Sequence, residues 1–274
     1  MASGEKSMDL QQPSAGVAIV TGATGGMGAA TAARLAAQGR PLILCDLDPA
    51  RLETLAASLG GGEIEILAGD IADPVFPGRL IAALGGRMIG ALVHTAGLSP
   101  TMGDAARIFA VNHDASARLV DSLLPHLAEG GCAVLIASTS AYLMISPEID
   151  AALDAIRPGD DSSSLLALAP TPGPAYSLSK RGVLRIVERR AAAFGARKAR
   201  IVSISPGLID TAMGRAEQKA SPQMDRMLSK TPLGRYGTAD EIASVAVFLC
   251  SPGASYISGC DIKVDGGVLA ALRD

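Results

Sequence analysis

Tyr176 and Lys180 stand four residues apart near the start of a helix-forming stretch, residues 176–194. Residues at i and i+4 share one face of a helix. A free phenol has a pKa of about 10 and is protonated near neutrality. An ammonium beside it favours the phenolate. A Tyr so placed can take a proton from an alcohol or give one to a carbonyl oxygen. The same spacing also occurs on ordinary solvated helix faces, so the pair needs a context.

Thr21-Gly22-Ala23-Thr24-Gly25-Gly26-Met27-Gly28 supplies one. It lies between a β-branched run, Val17–Thr21, and good helix formers at residues 29–38, which end at Gly39. Glycines in a strand-to-helix turn let the backbone approach a pyrophosphate, and the helix N-terminus offers N–H groups and positive dipole. Gly22, Thr24, Gly26, Met27 and Gly28 are therefore candidate phosphate-binding positions. A packing turn would also use glycine. No Gly-Lys-Ser/Thr follows, which excludes a nucleoside-triphosphate P-loop.

Asp46 ends the next strand-like run, 18 residues after Gly28, with Leu47 beside it. A carboxylate there accepts hydrogen bonds from both adenosine ribose hydroxyls and repels a 2′-phosphate, so the expected cofactor is NAD(H) rather than NADP(H). As a mere helix cap Asp46 would compete with Asp48, which is better placed.

The elements around these residues alternate. Strands are expected at Val17–Thr21, Leu42–Asp46, 64–69, 91–95, 133–138, 201–205 and Asp261–Val264. Helices are expected at 29–38, Pro49–Leu59, from before Asn112 to about 127, 176–194 and Ala239–Leu249. The strands are continuous apolar runs, as parallel strands covered on both faces are. Right-handed crossovers then give one doubly wound α/β domain of Rossmann type, its mostly parallel sheet having about seven strands. Residues 1–15 read as a polar tail and 16–274 as the nucleotide-binding domain. Two segments break the rhythm. Residues 143–174 are rich in Pro and Ser, with a short helix expected at 148–156, and residues 211–232 are polar with Met213, Met224 and Met227. Both follow the carboxyl ends of strands, where open α/β sheets bind ligands, so both are candidate substrate walls.

Composition narrows the partners. The 274 residues carry 24 Lys+Arg against 27 Asp+Glu, and no Trp, which argues against coating nucleic acid. The longest apolar stretches fall short of a membrane span. No two of Cys45, Cys132, Cys250 and Cys260 have metal-clamp spacing, and no metal site is expected. Unpaired thiols and the lack of a signal-peptide layout at the start point to the cytoplasm.

Residues 21–28, Asp46, Asp70, Ala96-Gly97, Asn112, Ser138, Tyr176/Lys180 and Pro206-Gly207 together resemble the classical short-chain dehydrogenase/reductase family over residues 17–269. The resemblance implies that Tyr176 is the general acid/base and that Lys180 binds the nicotinamide ribose and lowers the Tyr pKa. It implies that Ser138 holds the substrate oxygen and Asn112 keeps a water in the proton relay. Asp70 and Ile71 would flank the adenine, Ala96 and Gly97 would line the cofactor by backbone, and Pro206, Gly207, Ile209 and Thr211 would bracket the nicotinamide. Asp265-Gly266-Gly267 looks like the family's C-terminal strand, a common subunit interface, so a homo-oligomer is expected.

Three departures stand out. The family's Asn-Asn-Ala-Gly reads His94-Thr95-Ala96-Gly97, so the usual Asn brace is absent; His94 reads as a strand-end structural residue more readily than as a base. Ser-Ser reads Ala137-Ser138, with Ser140 in reserve. Ser138 and Tyr176 are 38 residues apart, the extra length being 143–174. With Leu92-Val93-His94-Thr95-Ala96-Gly97-Leu98-Ser99-Pro100, this gap resembles a subgroup of bacterial 3α-hydroxysteroid dehydrogenase/carbonyl reductases.

The expected function is hydride transfer between NAD(H) and a small-molecule secondary alcohol or ketone, apolar or cyclic and steroid-like. Leu143, Met144, Ile145, Leu165, Leu166 and Leu168 are candidate pocket residues with the three Met. A non-catalytic dinucleotide-binding regulator would not need Tyr176, Lys180, Ser138 and Asn112. A serine hydrolase would need the Gly-x-Ser-x-Gly elbow, which is missing.

Overall fold

Apolar runs without polar alternation must be covered on both faces, and each pairing in the central seven-stranded sheet is parallel. The computed structural model describes residues 16–60, 62–220 and 223–272; the expected tail at 1–15 lies outside them. The strands are β1 (Val17–Thr21), β2 (Leu42–Asp46), β3 (Ile64–Ala68), β4 (Ile89–His94), β5 (Leu127–Ile136), β6 (Arg200–Pro206) and, last in the chain, β9 (Asp261–Val264). Their order is β3-β2-β1-β4-β5-β6-β9. Two short strands, β7 (Ile209–Asp210) and β8 (Gly237–Thr238), pair beside it. The winding reverses between β1 and β4, which opens a crevice at their carboxyl ends.

Helices α1 (Gly26–Ala37), α2 (Pro49–Leu59) and α11 (Ala239–Leu249) cover one face, packing Leu35, Leu52, Ile242 and Leu249 against Val20, Leu44 and Val134. Helices α3 (Phe76–Leu84), α5 (Ala115–Leu123) and α8 (Pro172–Ala196) cover the other, with Phe76, Leu119 and Val183 against Ile19, Leu92 and Leu135. Among the described residues no helix is long and apolar enough to cross a membrane.

Several elements differ from expectation. Helix α3 escapes a sequence reading because its N-cap, Val75, has no capping side chain and Pro77 and Gly78 fill its first turn. The helix expected through Asn112 is three pieces: α4 (Ala105–Phe109), a π-turn at Ala110–Asp114, and α5. It ends before Pro125 in a 3₁₀ turn, Leu124–His126, and β5 starts at once. Helix α8 starts at Pro172, where proline's fixed φ suits a first turn, so part of the supposed loop is helix.

The insertion is largely helical. Ser146 caps α6 (Pro147–Ala155), its Oγ accepting from the Ile149 amide at 3.1 Å. Together with α7 (Ser163–Ala167), it builds a third cluster in which Leu153, Leu165 and Ala169 meet Phe109, Ala175 and Leu178. Two bidentate ion pairs, Arg181 with Asp150 and Arg185 with Asp154, bind α6 along α8. The carboxylates recur at four-residue spacing on α6 and the guanidiniums at the same spacing on α8, so one register satisfies both. Helices α9 (Ala212–Ala220) and α10 (Gln223–Lys230) follow β7, and α12 (Val268–Ala271) follows β9.

Candidate active site

Three glycines shape the turn after β1. Gly22 has φ +66°, and a Cβ there would lie 2.6 Å from the Ala96 nitrogen. A Cβ on Gly28 would lie 2.1 Å from the Gly22 carbonyl oxygen, and one on Gly26 would meet Thr211 Cγ2 at 2.8 Å. The turn is thus pressed between Ala96 after β4 and Thr211 before α9. Helix α1 has Gly25 as its N-cap, with no capping side chain and no acid in its first turn. That leaves N–H groups and the positive dipole end for a phosphate, so the turn fits a dinucleotide.

Asp46 closes this cradle. Its Oδ2 accepts from the Thr24 amide at 2.8 Å and hydroxyl at 2.6 Å, and Oδ1 accepts from the Leu47 amide at 2.7 Å. Asp48, not Asp46, caps α2, taking the amides of Ala50 and Arg51. Asp70 accepts from the Ala72 amide at 2.8 Å and from Arg107 Nη2 at 2.5 Å. Partial burial opposes its ionisation, but these two partners hold it below the usual carboxylate range. Ile71 is buried beside it, and Leu47 is exposed. Gly207 donates to the Val264 carbonyl at 3.0 Å and fits only without a side chain against Asp265. Ile209 is buried, and Thr211 Oγ1 accepts from the Gly214 amide at 3.0 Å, turning the chain into α9.

Asn112 sits in the π-turn, a feature concentrated at functional sites. Its side chain accepts from the Leu98 amide at 2.8 Å and donates to the Leu98 carbonyl at 3.0 Å and Ser179 Oγ at 3.1 Å. It therefore ties the loop after β4 to α8, one residue before Lys180. Gly97 lies between them: a Cβ there would be 3.0 Å from Asn112 Oδ1 and 3.4 Å from Lys180 Nζ. Lys180 donates to the Ile136 carbonyl at 2.8 Å and lies 5.8 Å from the Tyr176 ring centre. Burial lowers its pKa to about 8, with Glu217 opposing. Burial raises the Tyr176 phenol well above its ordinary value, Glu217 adds to this, and the facing Ser138 hydroxyl opposes it. Ser138 accepts from the Ser140 amide at 3.1 Å and hydroxyl at 3.0 Å, so Ser140 supports it rather than replacing it.

His94 is fully enclosed between Thr21 and Ser116. Ser116 donates its one proton to the Asn112 carbonyl at 2.6 Å. Its oxygen must then accept from His94 Nε2 at 2.8 Å, which leaves Nδ1 to accept from the Thr21 hydroxyl at 2.7 Å. A directed chain runs from β1 to the Asn112 carbonyl in the π-turn. Burial, with Lys180 nearby, pushes the His94 pKa down to about 3, so it is a neutral brace. The unfolded chain takes up this proton near the ordinary His value of about 6.5. The brace's stability is therefore full above that pH and is lost as pH falls toward the folded value. Thermal melts are expected to show His94→Asn destabilising the protein less at about pH 5 than at about pH 7.5; an equal penalty at both would contradict the neutral brace.

The missing Asn brace after β4 also has a substitute. Thr95 Oγ1 donates to the Thr21 carbonyl at 2.7 Å and lies 3.2 Å from the Gly22 carbonyl.

Comparison with known proteins agrees with this geometry. The family model described as short chain dehydrogenase matches residues 16–148, and that described as Enoyl-(Acyl carrier protein) reductase matches 162–269. D-threitol dehydrogenase of Mycolicibacterium smegmatis is 32% identical over 92% of this chain and 92% of its own. The chain belongs to the short-chain dehydrogenase/reductase family. Within that family it is also similar to 3-alpha-hydroxysteroid dehydrogenase/carbonyl reductase of Comamonas testosteroni, 31% identical over 94% of this chain and 98% of the relative. A solved relative, a glucose/ribitol dehydrogenase of the family from Brucella melitensis, has a TM-score of 0.75 at 31% identity, covering 92% of this chain and 96% of that one. The family's relatives include named alcohol dehydrogenases, and the chain is an oxidoreductase of that family with a nicotinamide dinucleotide as cofactor.

The family's motif residues converge: the glycine turn with Ala96 and Thr211, Gly97 with Asn112 and Lys180, and Ser138 with Tyr176. Arg107, Ser116 and Glu217 were not foreseen. A surface Arg, a mid-helix Ser and a lid Glu carry no signal until their partners are placed.

Proposed function

We propose that this protein transfers hydride between NAD(H) and a secondary alcohol or ketone with an apolar or cyclic, steroid-like body. The observation that supports this best is the grouping of Ser138, Tyr176, Lys180 and Asn112 beside a glycine turn suited to a dinucleotide. The nicotinamide, when bound, supplies the hydride acceptor or donor. Tyr176 moves the proton at the substrate oxygen, which the Ser138 hydroxyl orients. Lys180 holds the ribose and favours the phenolate. Asn112 fixes the wall between them. Burial and Glu217 favour the neutral phenol of Tyr176. A purely regulatory dinucleotide-binding protein would have no use for this proton machinery.

Asp46 supports NAD(H) over NADP(H). Its carboxylate stands at the end of β2, and Thr24 orients it. Asp46→Ala is expected to weaken NAD+ binding about 10- to 100-fold, as when a hydrogen bond to a charged group is lost. The same change is expected to relax exclusion of NADP+. Steady-state kinetics with both cofactors checks this; a native enzyme that prefers NADP+ would reverse the assignment.

The insertion supports an apolar substrate. Leu143 and Ile145 follow the Ser138 turn and are 69% and 53% exposed. Met144, Leu165 and Leu166 belong instead to the packed cluster under α6 and α7. Replacing residues 143–170 by a tight linker is expected to change relative rates across a panel of hydroxysteroids, cyclic alcohols and aromatic secondary alcohols. Unchanged relative rates in a protein that still folds and binds NAD+ would remove the insertion from substrate choice.

The same insertion packs along α8, where it would obstruct assembly through that helix. That leaves the sheet edge at β9 as the interface of a homo-oligomer. Thiols without disulfides support a cytoplasmic setting.

A further inference from the structure

A cavity of about 130 Å³ lies where α5, the end of α6 and the π-turn meet α8. Neither Ser138, Tyr176 nor Lys180 lines it, so it is separate from the proton-transfer site. Pockets for drug-sized molecules run to about 300–1,000 Å³, so this one suits a small ion.

Its wall is rich in guanidinium. Asp154 accepts from Arg185 Nε and Nη2, and also lies 3.0 Å from Arg189 Nη1. Asp121 accepts from Arg190 at 2.9 and 2.7 Å. Arg157, in the loop after α6, has no acidic partner and no side-chain hydrogen bond among the described residues. Arg185 is fully engaged by Asp154 and Glu188. The unmatched charge is therefore that of Arg157 and Arg189, both exposed.

The cavity also holds a buried acceptor. His113 is 2% exposed, and its ring stacks on Phe109 with centres 4.6 Å apart. Its Nδ1 lies 2.8 Å from Asp114 Oδ1. A carboxylate accepts, so Nδ1 carries the proton and Nε2 of the neutral ring is an acceptor. Nε2 has no hydrogen bond among the described residues. Its edge of the ring turns to Gly182, where a Cβ would stand 2.3 Å from Cδ2 and 3.1 Å from Nε2. His113 and Gly182 both line the cavity.

An occupant must therefore bring negative charge to the guanidiniums and a proton to Nε2. Water donates to Nε2 but brings no charge. Chloride and sulfate bring charge but no proton. Bicarbonate brings both, but a single charge against two unmatched guanidiniums. Hydrogen phosphate has a protonated oxygen and two charges, and its other oxygens suit guanidinium forks.

We propose that this cavity binds hydrogen phosphate, which donates its P–OH to His113 Nε2 and accepts from Arg157 and Arg189 through its other oxygens. It is a second ligand site, and it does not depend on the dehydrogenase reading.

The test is calorimetric titration with sodium phosphate at neutral pH. The protein is first saturated with NAD+ or NADP+, which fills the glycine turn, the other place for a phosphate. Sulfate and bicarbonate are titrated at the same ionic strength. Saturable phosphate binding is expected, with sulfate and bicarbonate weaker by about 10-fold or more. Arg157→Gln and Arg189→Gln are each expected to weaken phosphate by about 10-fold, as when a hydrogen bond to a charged group is lost. His113→Phe keeps a stacked ring without Nε2, and it is expected to abolish the preference for phosphate over sulfate. Thermal melts accompany each variant. The two exposed arginines carry the test if His113→Phe does not fold. No phosphate binding by the native protein, or binding unmoved in both arginine variants, overturns the site. Sulfate as tight as phosphate overturns the role of Nε2, and bicarbonate as tight overturns the choice of a dianion.

Discussion

Tyr176→Phe is expected to lower alcohol turnover by about 10²- to 10⁴-fold, the usual worth of a positioned acid/base. Binding of NAD+ is expected to change little. The ring lies on α8 between buried Ala175 and Ser177, and the substitution leaves that packing in place. What disappears is the phenol oxygen, the group that faces Ser138 and whose ionisation burial and Glu217 oppose. His94 is the nearest candidate by chemistry, but both its ring nitrogens are occupied and its neutral form is locked. Rapid-mixing measurement of reduced nicotinamide formation, with an NAD+ titration alongside, separates loss of chemistry from loss of binding. Near-native turnover would mean that the proton moves through another group.

Gly28→Ala is expected to abolish useful cofactor affinity and to destabilise the fold. The added methyl would stand 2.1 Å from the Gly22 oxygen and 2.8 Å from Thr95 Oγ1. The first neighbour is backbone and cannot swing aside. Gly22 cannot retreat either, since Ala96 presses on its far side and the Thr95 hydroxyl holds the neighbouring carbonyls. Relief must come from lifting α1 off the turn, which moves the N–H groups meant for phosphate. Overpacking of this kind costs about 1–3 kcal/mol, and NAD+ affinity is expected to fall by about 100-fold or more, since the displaced amides make charge-assisted hydrogen bonds. Gly39→Ala is the control. Gly39 also has a left-handed φ, +71°, but nothing lies within 4 Å of its Cβ position. It is expected to lose only about 1 kcal/mol from backbone strain, with cofactor binding intact. Calorimetric titration and thermal melts read both variants.

The parts of the fold legible in the sequence are those set by local rules. β1, β2, α2, α11 and β9 fall where their apolar runs and Pro49 put them. The site motifs were legible because their spacing is tied to strand ends. Elements that depend on partners were not. The π-turn at Asn112 adds a residue to a turn, and nothing in helical periodicity marks it. The insertion looked irregular because proline and serine open its helices rather than break them, at Ser146-Pro147 and Thr171-Pro172. His94 was legible as structural, but its chain to Asn112 needed Ser116, 22 residues away, to be placed. Glu217 was hidden because the inward face of α9 emerges only once Thr211 is seated on Gly26.

The central claim is that Tyr176, Lys180 and Ser138 carry out alcohol oxidation with NAD+. Its most direct test is the absorbance of reduced nicotinamide when the purified protein meets NAD+ and a panel of secondary alcohols, with Tyr176→Phe run in parallel. The account predicts cofactor reduction by the native protein with at least one alcohol, and a signal lower by about 10²-fold or more in the variant. Reduction at equal rates in the two proteins, or none by a native protein that binds NAD+, would contradict it.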